Sequence, residues 1–137
     1  MSVKTIIHDQ NFLKLKAISA KPQDKQDAID LRDTLLSQRD KAAGLAANMI
    51  GSRKRIIAFY LGPLPIIMIN PRLVSKKDQY LAEEGCLSLD GTRAAVRYKT
   101  ITVEYENMDF EKSSQVFKDF TAEVIQHELD HCDGILI

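Results

Sequence analysis

The sequence predicts an α+β fold in which small antiparallel sheets pack around a C-terminal helix. Two segments have helical patterns, one after Pro22 and one from Asp119 to Cys132. Between them, apolar runs of strand length are separated by Gly and Pro, and residues 98–107 alternate between apolar and polar side chains. The 137 residues suffice for one hydrophobic core, so we expect a single domain over residues 1–137.

The composition is that of an ordinary globular protein. Apolar residues make up 45% of the chain and charged residues 28%. Lys and Arg together number 19, as do Asp and Glu, so the net charge gives no sign of a nucleic-acid or membrane partner. The N-terminus lacks the apolar core of an export signal, and the chain contains only two cysteines. We therefore expect a reducing, cytoplasmic location.

The first forty residues predict a lead-in segment followed by a helix. Residues 3–18 mix apolar and basic side chains and suit an extended or partly helical segment, with His8 at the surface rather than at a metal. After Pro22, Asp24 can cap a helix that continues to about Ala43, with Gly44 at its end. The expected apolar stripe of this helix consists of Ala28, Leu31, Leu35 and Ala42.

Residues 44–51 form a small, apolar segment with the sequence GLAANMIG, bounded by two glycines. Small residues allow the backbone to approach another element or a ligand closely. From the residues alone we favour close packing, with ligand contact as the alternative.

The middle of the chain predicts strands. Arg55–Leu61 and Pro65–Asn70 form a predicted strand pair with a turn at Gly62-Pro63. Pro71 and the polar residues 76–79 bracket a further short extended piece. In the half-buried strand at residues 98–107, one face carries Ile101, Val103 and Tyr105. A polar turn at residues 111–114 is expected to lead into the last helix.

The strongest functional signal is a five-residue motif close to the C-terminus. His127-Glu128-Leu129-Asp130-His131 has the pattern H-E-x-x-H. Residues four apart lie on the same face of a helix, so both imidazoles can reach one cation. Glu128 lies beside that face, where a base can take a proton from a water that the metal polarises. The alternative is a solvated helix face that happens to carry these residue types.

The surrounding residues provide the helix that this motif requires. Asp119–Cys132 contains good helix formers and neither Gly nor Pro, and Gly134 is placed to end the helix. Asp119 or Thr121 could cap its start. One stripe of this helix carries Phe120, Val124, His127 and His131.

The third metal ligand is expected upstream of the motif, since only six residues follow His131. Cys86, preceded by a glycine and two acids, is the first candidate, and Glu84 is the second. A Cys-His-His site with one open position is typical of catalytic rather than structural metal sites. Cys132 lacks such surroundings and is interpreted as a buried structural residue.

Three stretches resemble, in this order, the signature motifs of the peptide deformylases: GLAANMIG at 44–51, EGCLS at 84–88 and QHELDH at 126–131. The resemblance implies a deformylase-like α+β fold around the metal-binding helix. It implies Cys86, His127 and His131 as metal ligands and Glu128 as the catalytic acid/base. It also implies one divalent ion per chain, with iron(II) expected and zinc(II) or nickel(II) as alternatives.

The implied activity is a metal-dependent hydrolysis that removes the N-formyl group from the initiator methionine of nascent polypeptides. The implied partner is an N-formyl-methionyl peptide or a nascent chain, with the ribosome as the place where they meet. By the same resemblance, the Leu87 N–H shares the oxyanion with the metal, and Gly44 and Leu45 present backbone to the peptide. Phe120 and Val124 would line the pocket for the methionine side chain. Glu123 beside them is unexpected in an apolar pocket and could point outward instead.

The first motif departs from the family pattern G-x-G-x-A-A-x-Q, because Ala42 replaces the first glycine and Met49 replaces the glutamine. That glutamine donates a hydrogen bond to the developing oxyanion, whereas a thioether cannot donate one. Loss of such a donor can cost about a hundred- to a thousandfold in rate. Asn48 or a bound water could replace part of it.

Three hypotheses follow from these residues. The first is a deformylase with reduced activity, and the second is a homologue that keeps the metal and binds peptide N-termini without much turnover. The third, a protease acting on internal peptide bonds, is disfavoured by an upstream cysteine ligand.

Overall fold

The computed structural model describes residues 3–137, in which the strands form one five-stranded antiparallel sheet in chain order. The antiparallel α+β class is confirmed, with one sheet in place of several small ones. Among residues 3–137, no helix is both long and apolar enough to cross a membrane. The strands are Gly44–Ala46 (β1), Ile56–Leu61 (β2), Leu64–Cys86 (β3), Leu89–Glu106 (β4) and Lys112–Lys118 (β5), and the α-helices are Gln10–Leu13 (α1), Lys25–Ser37 (α2) and Asp119–Cys132 (α3).

Helix α3 has the bounds that the sequence predicts, and it packs against β1, β2 and β4. Its start differs from the prediction, because Lys118 occupies the N-cap position and makes no side-chain capping bond. Its end agrees, since Gly134 follows in the left-handed region and its N–H donates to the carbonyl of His131. The helix buries an apolar face in the core through Ala122, Ile125, Leu129 and Cys132.

Helix α2 is shorter than predicted, because it ends at Ser37 rather than near Ala43. Ala28, Leu31 and Leu35 are fully buried, as the stripe predicts. Beyond them the next positions of the stripe are Gln38 and Arg39, which offer no apolar side chain to the core. Most helices in proteins are stabilised by packing of an apolar face, so the helix ends where this face ends, at Ser37.

The sheet also corrects two predictions of where strands begin and end. β3 does not stop at Pro71. Its pairing with β4 shifts register between Ile69 and Arg72, so the ladder does not require the N–H that proline lacks. The polar residues 76–79 therefore lie inside β3. The turn predicted at residues 111–114 lies earlier, where the Asn107 side chain accepts hydrogen bonds from the N–H groups of Asp109 and Glu111.

The β3–β4 pair carries functional side chains on the face that looks toward α3. Tyr80, Ala82 and Glu84 share one face of β3, since side chains alternate along a strand. Across the ladder, Tyr80 is paired with Arg97 and Ala82 with Ala95. Leu81 and Val96 point the other way and are exposed. Glu84 and Arg97 are therefore brought to α3 by strand register.

Side-chain amides hold α3 against its neighbours. The Gln126 Oε1 accepts from the backbone N–H of Tyr98 at 2.9 Å, and its Nε2 donates to the Tyr98 carbonyl at 2.8 Å. The Asn48 Nδ2 donates to the His131 carbonyl at 3.0 Å. These contacts fix the rotation of α3 and hence the direction of its histidines.

Gly134 occupies a conformation and a space that only glycine fits. Its φ is +76°, and an added Cβ would lie 2.3 Å from the carbonyl oxygen of Lys14. We expect Gly134→Ala to lower the free energy of unfolding by at least about 2 kcal/mol, because the backbone cost of about 1–2 kcal/mol adds to overpacking of about 1–3 kcal/mol.

Gly62→Ala is the matched control for this prediction. Its φ is +61°, but no described atom lies within 4 Å of an added Cβ, so it should show the backbone cost alone. Urea denaturation of both variants measures the difference. Equal losses of stability would contradict the close contact with Lys14.

Candidate metal centre

Three donor atoms converge between the end of β3 and the middle of α3. The Cys86 Sγ lies 3.3 Å from the His131 Nε2, and that nitrogen lies 3.1 Å from the His127 Nε2. All three donor atoms lie within 4.8 Å of one another. The structure thus brings together the three residues that the sequence proposes as ligands.

These separations suit a small divalent cation. A tetrahedral ion with bonds of about 2.3 Å to sulfur and about 2.0–2.1 Å to nitrogen would place its ligand atoms about 3.3–3.6 Å apart. The Cys86–His131 and His127–His131 separations lie within a few tenths of an ångström of these values. A thiolate with two imidazoles is a donor set for zinc or iron rather than for magnesium or calcium.

Glu84 sets the tautomer and orientation of His127. The His127 Nδ1–H donates to the Glu84 Oε1 at 2.7 Å. With Nδ1 held at Glu84, Nε2 is the nitrogen that faces the other two donors and would bind a cation once it is deprotonated. Glu84, the second candidate for the third ligand, therefore supports His127 and leaves Cys86 as the donor beside the imidazoles.

A buried arginine neutralises Glu84 and ties it to the next turn of α3. Arg97 is 4% exposed and donates to Glu84 at 2.7 Å from Nη2 and 2.9 Å from Nε. Its Nη1 donates to Asp130 at 2.7 Å. Burial opposes the charge on Glu84, but the hydrogen bonds from His127 and Arg97 outweigh it and lower the pKa of Glu84 to about 2. Removing one member of such a buried network typically costs about 3–5 kcal/mol.

The two histidines differ in their affinity for a proton. Burial opposes the charge on His127, but its interactions with Cys86 and Glu84 outweigh burial and raise its pKa to about 10. Burial and the neighbouring His127 lower the pKa of His131 to about 3. At neutral pH the metal-free pair therefore carries one positive charge, on His127, while His131 is neutral. A cation bound at the His127 Nε2 would displace the proton there.

Glu128 lies beside the donor cluster with one oxygen that has no protein partner. The residue is 4% exposed, and its Oε1 makes no hydrogen bond within residues 3–137. Burial raises the pKa of Glu128 to about 7. A carboxyl group with a pKa near neutrality can both accept and return a proton. The unpartnered oxygen indicates that a water or a substrate group belongs next to it.

A cavity of about 580 Å³ opens onto Cys86, His127 and Glu128. Leu45, expected to present backbone to the peptide, is not among the residues that line the cavity, and its side chain is fully buried in the core. Phe120 is 66% exposed and lies at the rim. The other residues expected at the substrate do line it: Gly44, Met49, Leu87 and Val124.

Met49 is 1% exposed, and its Sδ accepts from the backbone N–H of Ala46 at 3.5 Å. Asn48 does not replace the missing glutamine, because its amide nitrogen already donates to the carbonyls of His131 and Leu13. The side chains of this segment therefore supply no oxyanion donor in place of the glutamine.

Glu123 points into the cavity rather than outward. It lines the same space as Phe120 and Val124, and its Oε1 accepts from the Tyr80 hydroxyl at 2.9 Å. Burial and the neighbouring Glu84 raise the pKa of Glu123.

His8 lies away from the donor cluster, as expected, and is exposed. Its Nδ1 donates to the Ser88 carbonyl at 3.0 Å. This bond fixes the loop that carries Leu87. The sequence held no local signal for this role, because the two residues lie 80 positions apart.

Comparison with known proteins agrees with this site. Residues 3–137 match a family model described as polypeptide deformylase. A peptide deformylase of Clostridium beijerinckii is 47% identical over 135 residues, which cover 98% of this chain and 99% of the relative.

Solved structures of peptide deformylases share the fold. The class I type b enzyme from Acinetobacter baumannii, bound to Met-Ala-Ser, superposes with a TM-score of 0.87 at 28% identity. The match covers 98% of this chain and 96% of that one. The enzyme from Thermotoga maritima also gives 0.87 at 28% identity, with 98% and 94% covered.

Replacing a proposed ligand should remove the metal. We expect Cys86→Ala and His127→Ala to lose most of one divalent ion per chain, measured by elemental analysis after dialysis. Cys132→Ala is the matched control, because this second cysteine is buried in the hydrophobic core and is not part of the donor cluster. Full occupancy in both ligand variants, or loss in the control, would exclude this ligand set.

Proposed function

The chain belongs to the polypeptide deformylase family, and on this basis we propose that it hydrolyses the N-formyl group of formyl-methionyl peptides. The observation that carries the proposal is the convergence of Cys86, His127 and His131 beside the buried carboxyl group of Glu128. The Met-Ala-Ser complex of the Acinetobacter baumannii enzyme supports a peptide as the ligand. We extend the proposal to nascent chains at the ribosome, in the cytoplasm.

Cys86, His127 and His131 would hold one divalent ion, iron(II) by family expectation and zinc(II) or nickel(II) as alternatives. When bound, the ion would lower the pKa of a water and polarise the formyl oxygen. Glu84 keeps the His127 Nε2 on the side of the other two donors, where it could bind the ion, and Arg97 keeps Glu84 charged.

Glu128 would move the protons of the reaction. Its carboxylate accepts a proton from the attacking water and returns one to the departing amine. A pKa of about 7 suits both steps near neutral pH. The Leu87 N–H would donate to the formyl oxygen as negative charge develops on it.

Gly44 would let the peptide backbone approach β1. An added Cβ at this position would lie 2.7 Å from the Val124 Cγ1 and 3.1 Å from the Glu128 Oε2. The absence of a side chain therefore keeps both the cavity wall and the catalytic carboxyl group in place.

A second function, peptide binding with little turnover, is favoured by one observation. Met49 fills the position of the family's glutamine donor, and the Asn48 amide is occupied elsewhere. The two functions predict different rates of turnover of a formyl-Met peptide, but both predict that the protein binds it.

Glu128→Gln separates metal binding from chemistry. We expect protein loaded anaerobically with iron(II) to deformylate formyl-Met-Ala-Ser. The Glu128→Gln variant should keep its iron but lose at least about a hundredfold in kcat, because an amide cannot accept the proton. Glu104→Gln, an exposed carboxylate on β4, serves as the control. Wild-type turnover by Glu128→Gln would show that another group is the base.

Met49→Gln should raise kcat/KM on the same peptide by about ten- to a hundredfold, since one oriented hydrogen bond to a charged oxygen contributes about 1.5–3 kcal/mol. The glutamine oxygen can accept from the Ala46 N–H as the sulfur does, and its amide nitrogen is then a donor. The gain should appear in kcat, because the charge develops only in the transition state.

Met49→Leu is the matched control for this gain, because it has a similar volume and no donor. Unchanged or lower activity of a folded, metal-loaded Met49→Gln protein would contradict the account of a missing donor.

A further inference from the structure

The face of α3 that lines the cavity contains an acidic residue where the methionine pocket should be apolar. Phe120, Glu123, Val124 and His127 all line the cavity, and their spacing of three, four and seven residues places them on one face. Glu123 lies one turn before His127. A side chain attached next to the scissile group, and extending along α3 toward Phe120, would therefore meet the Glu123 carboxyl group.

The contacts of Glu123 hold its carboxyl group at the cavity. The Tyr80 hydroxyl donates to its Oε1 at 2.9 Å, and Tyr80 lies on the β3 face that looks toward α3. The oxygens of the neighbouring Glu84 already accept hydrogen bonds from His127 and Arg97. Glu123 therefore retains acceptor capacity on the cavity side.

The rest of the lining increases the acidic character of this space. Glu83 and Asp90 line the cavity as well, and Lys41 and His127 are the basic side chains among its described lining residues. A carboxyl group covered by an apolar side chain loses its water without gaining a partner, which is unfavourable. A side chain that ends in a donor would instead satisfy it.

We propose that Glu123 is a specificity-determining residue, which lets the pocket accept a first residue ending in a hydrogen-bond donor or positive charge in addition to methionine. This inference rests on the deformylase function proposed above. It identifies N-formyl peptides with a basic or donor-bearing first side chain as a further substrate class of the same site.

The test compares two formyl peptides of similar side-chain length, formyl-lysyl-Ala-Ser and formyl-norleucyl-Ala-Ser. We expect the ratio of kcat/KM for the lysyl over the norleucyl peptide to fall at least about tenfold in Glu123→Leu, because the acceptor is removed. Glu123→Gln keeps an acceptor oxygen and the length but loses the charge, so its ratio should lie between the two. Glu104→Gln, remote from the cavity, should keep the wild-type ratio.

Binding of the deformylated peptides Lys-Ala-Ser and norleucyl-Ala-Ser, measured by calorimetry on metal-loaded protein, gives a second readout that needs no turnover. The same drop of about tenfold in relative affinity is expected for Glu123→Leu. The inference would be overturned if the lysyl-to-norleucyl ratio, of kcat/KM or of affinity, stayed within about twofold of the wild-type value in folded Glu123→Leu and Glu123→Gln. Absence of turnover with every formyl peptide would instead refute the proposed function, and the binding ratio would still decide the role of Glu123.

Discussion

The hydrogen bond between Glu84 and His127 is the contact on which the geometry of the site depends. It joins β3 to α3 over 2.7 Å and puts the imidazole proton on Nδ1. The Nε2 is thereby directed toward Cys86, which follows Glu84 by two residues on the same strand. Arg97 binds Glu84 and Asp130 together, so the strand, the helix and the imidazole are held by one buried network.

This network gives two buried carboxyl groups opposite properties. Glu84 and Glu128 are 7% and 4% exposed, yet the pKa of Glu84 is lowered to about 2 and that of Glu128 is raised to about 7. Burial acts on both, but only Glu84 has an arginine and an imidazole as donors. One carboxyl group is therefore a permanent anion that orients a ligand, and the other is suited to exchange protons.

Sequence spacing predicts the parts of the site that are local in the chain. The bounds of α3 and the position of its two histidines follow from helix periodicity and from the absence of Gly and Pro. The proposed donor role of Cys86 comes from the resemblance to a known family, and the structure brings its sulfur to the two imidazoles. Arg97 was missed, because its partners lie 13 and 33 positions away and only the pairing of β3 with β4 brings them close.

Other differences arise where packing competes with local preference. α2 ends at Ser37 because the next residues on its buried face, Gln38 and Arg39, have no apolar side chains to pack into the core. β3 continues past Pro71 because a shift in register removes the need for that N–H. Glu123 is unexpected in an apolar pocket, but the Tyr80 hydroxyl on the facing strand gives it a hydrogen-bond partner there. The continuation of β3 and the placement of Glu123 both depend on contacts distant in sequence.

We propose that one thiolate and two imidazoles form the metal centre. X-ray absorption spectroscopy of the zinc-loaded protein measures this donor set directly. The account predicts one sulfur at about 2.3 Å and two imidazole nitrogens at about 2.0–2.1 Å, with the sulfur lost in Cys86→Ala. A spectrum with two sulfurs would make Cys132 a ligand, and one without sulfur would give the third position to a carboxylate. Either result would contradict the account.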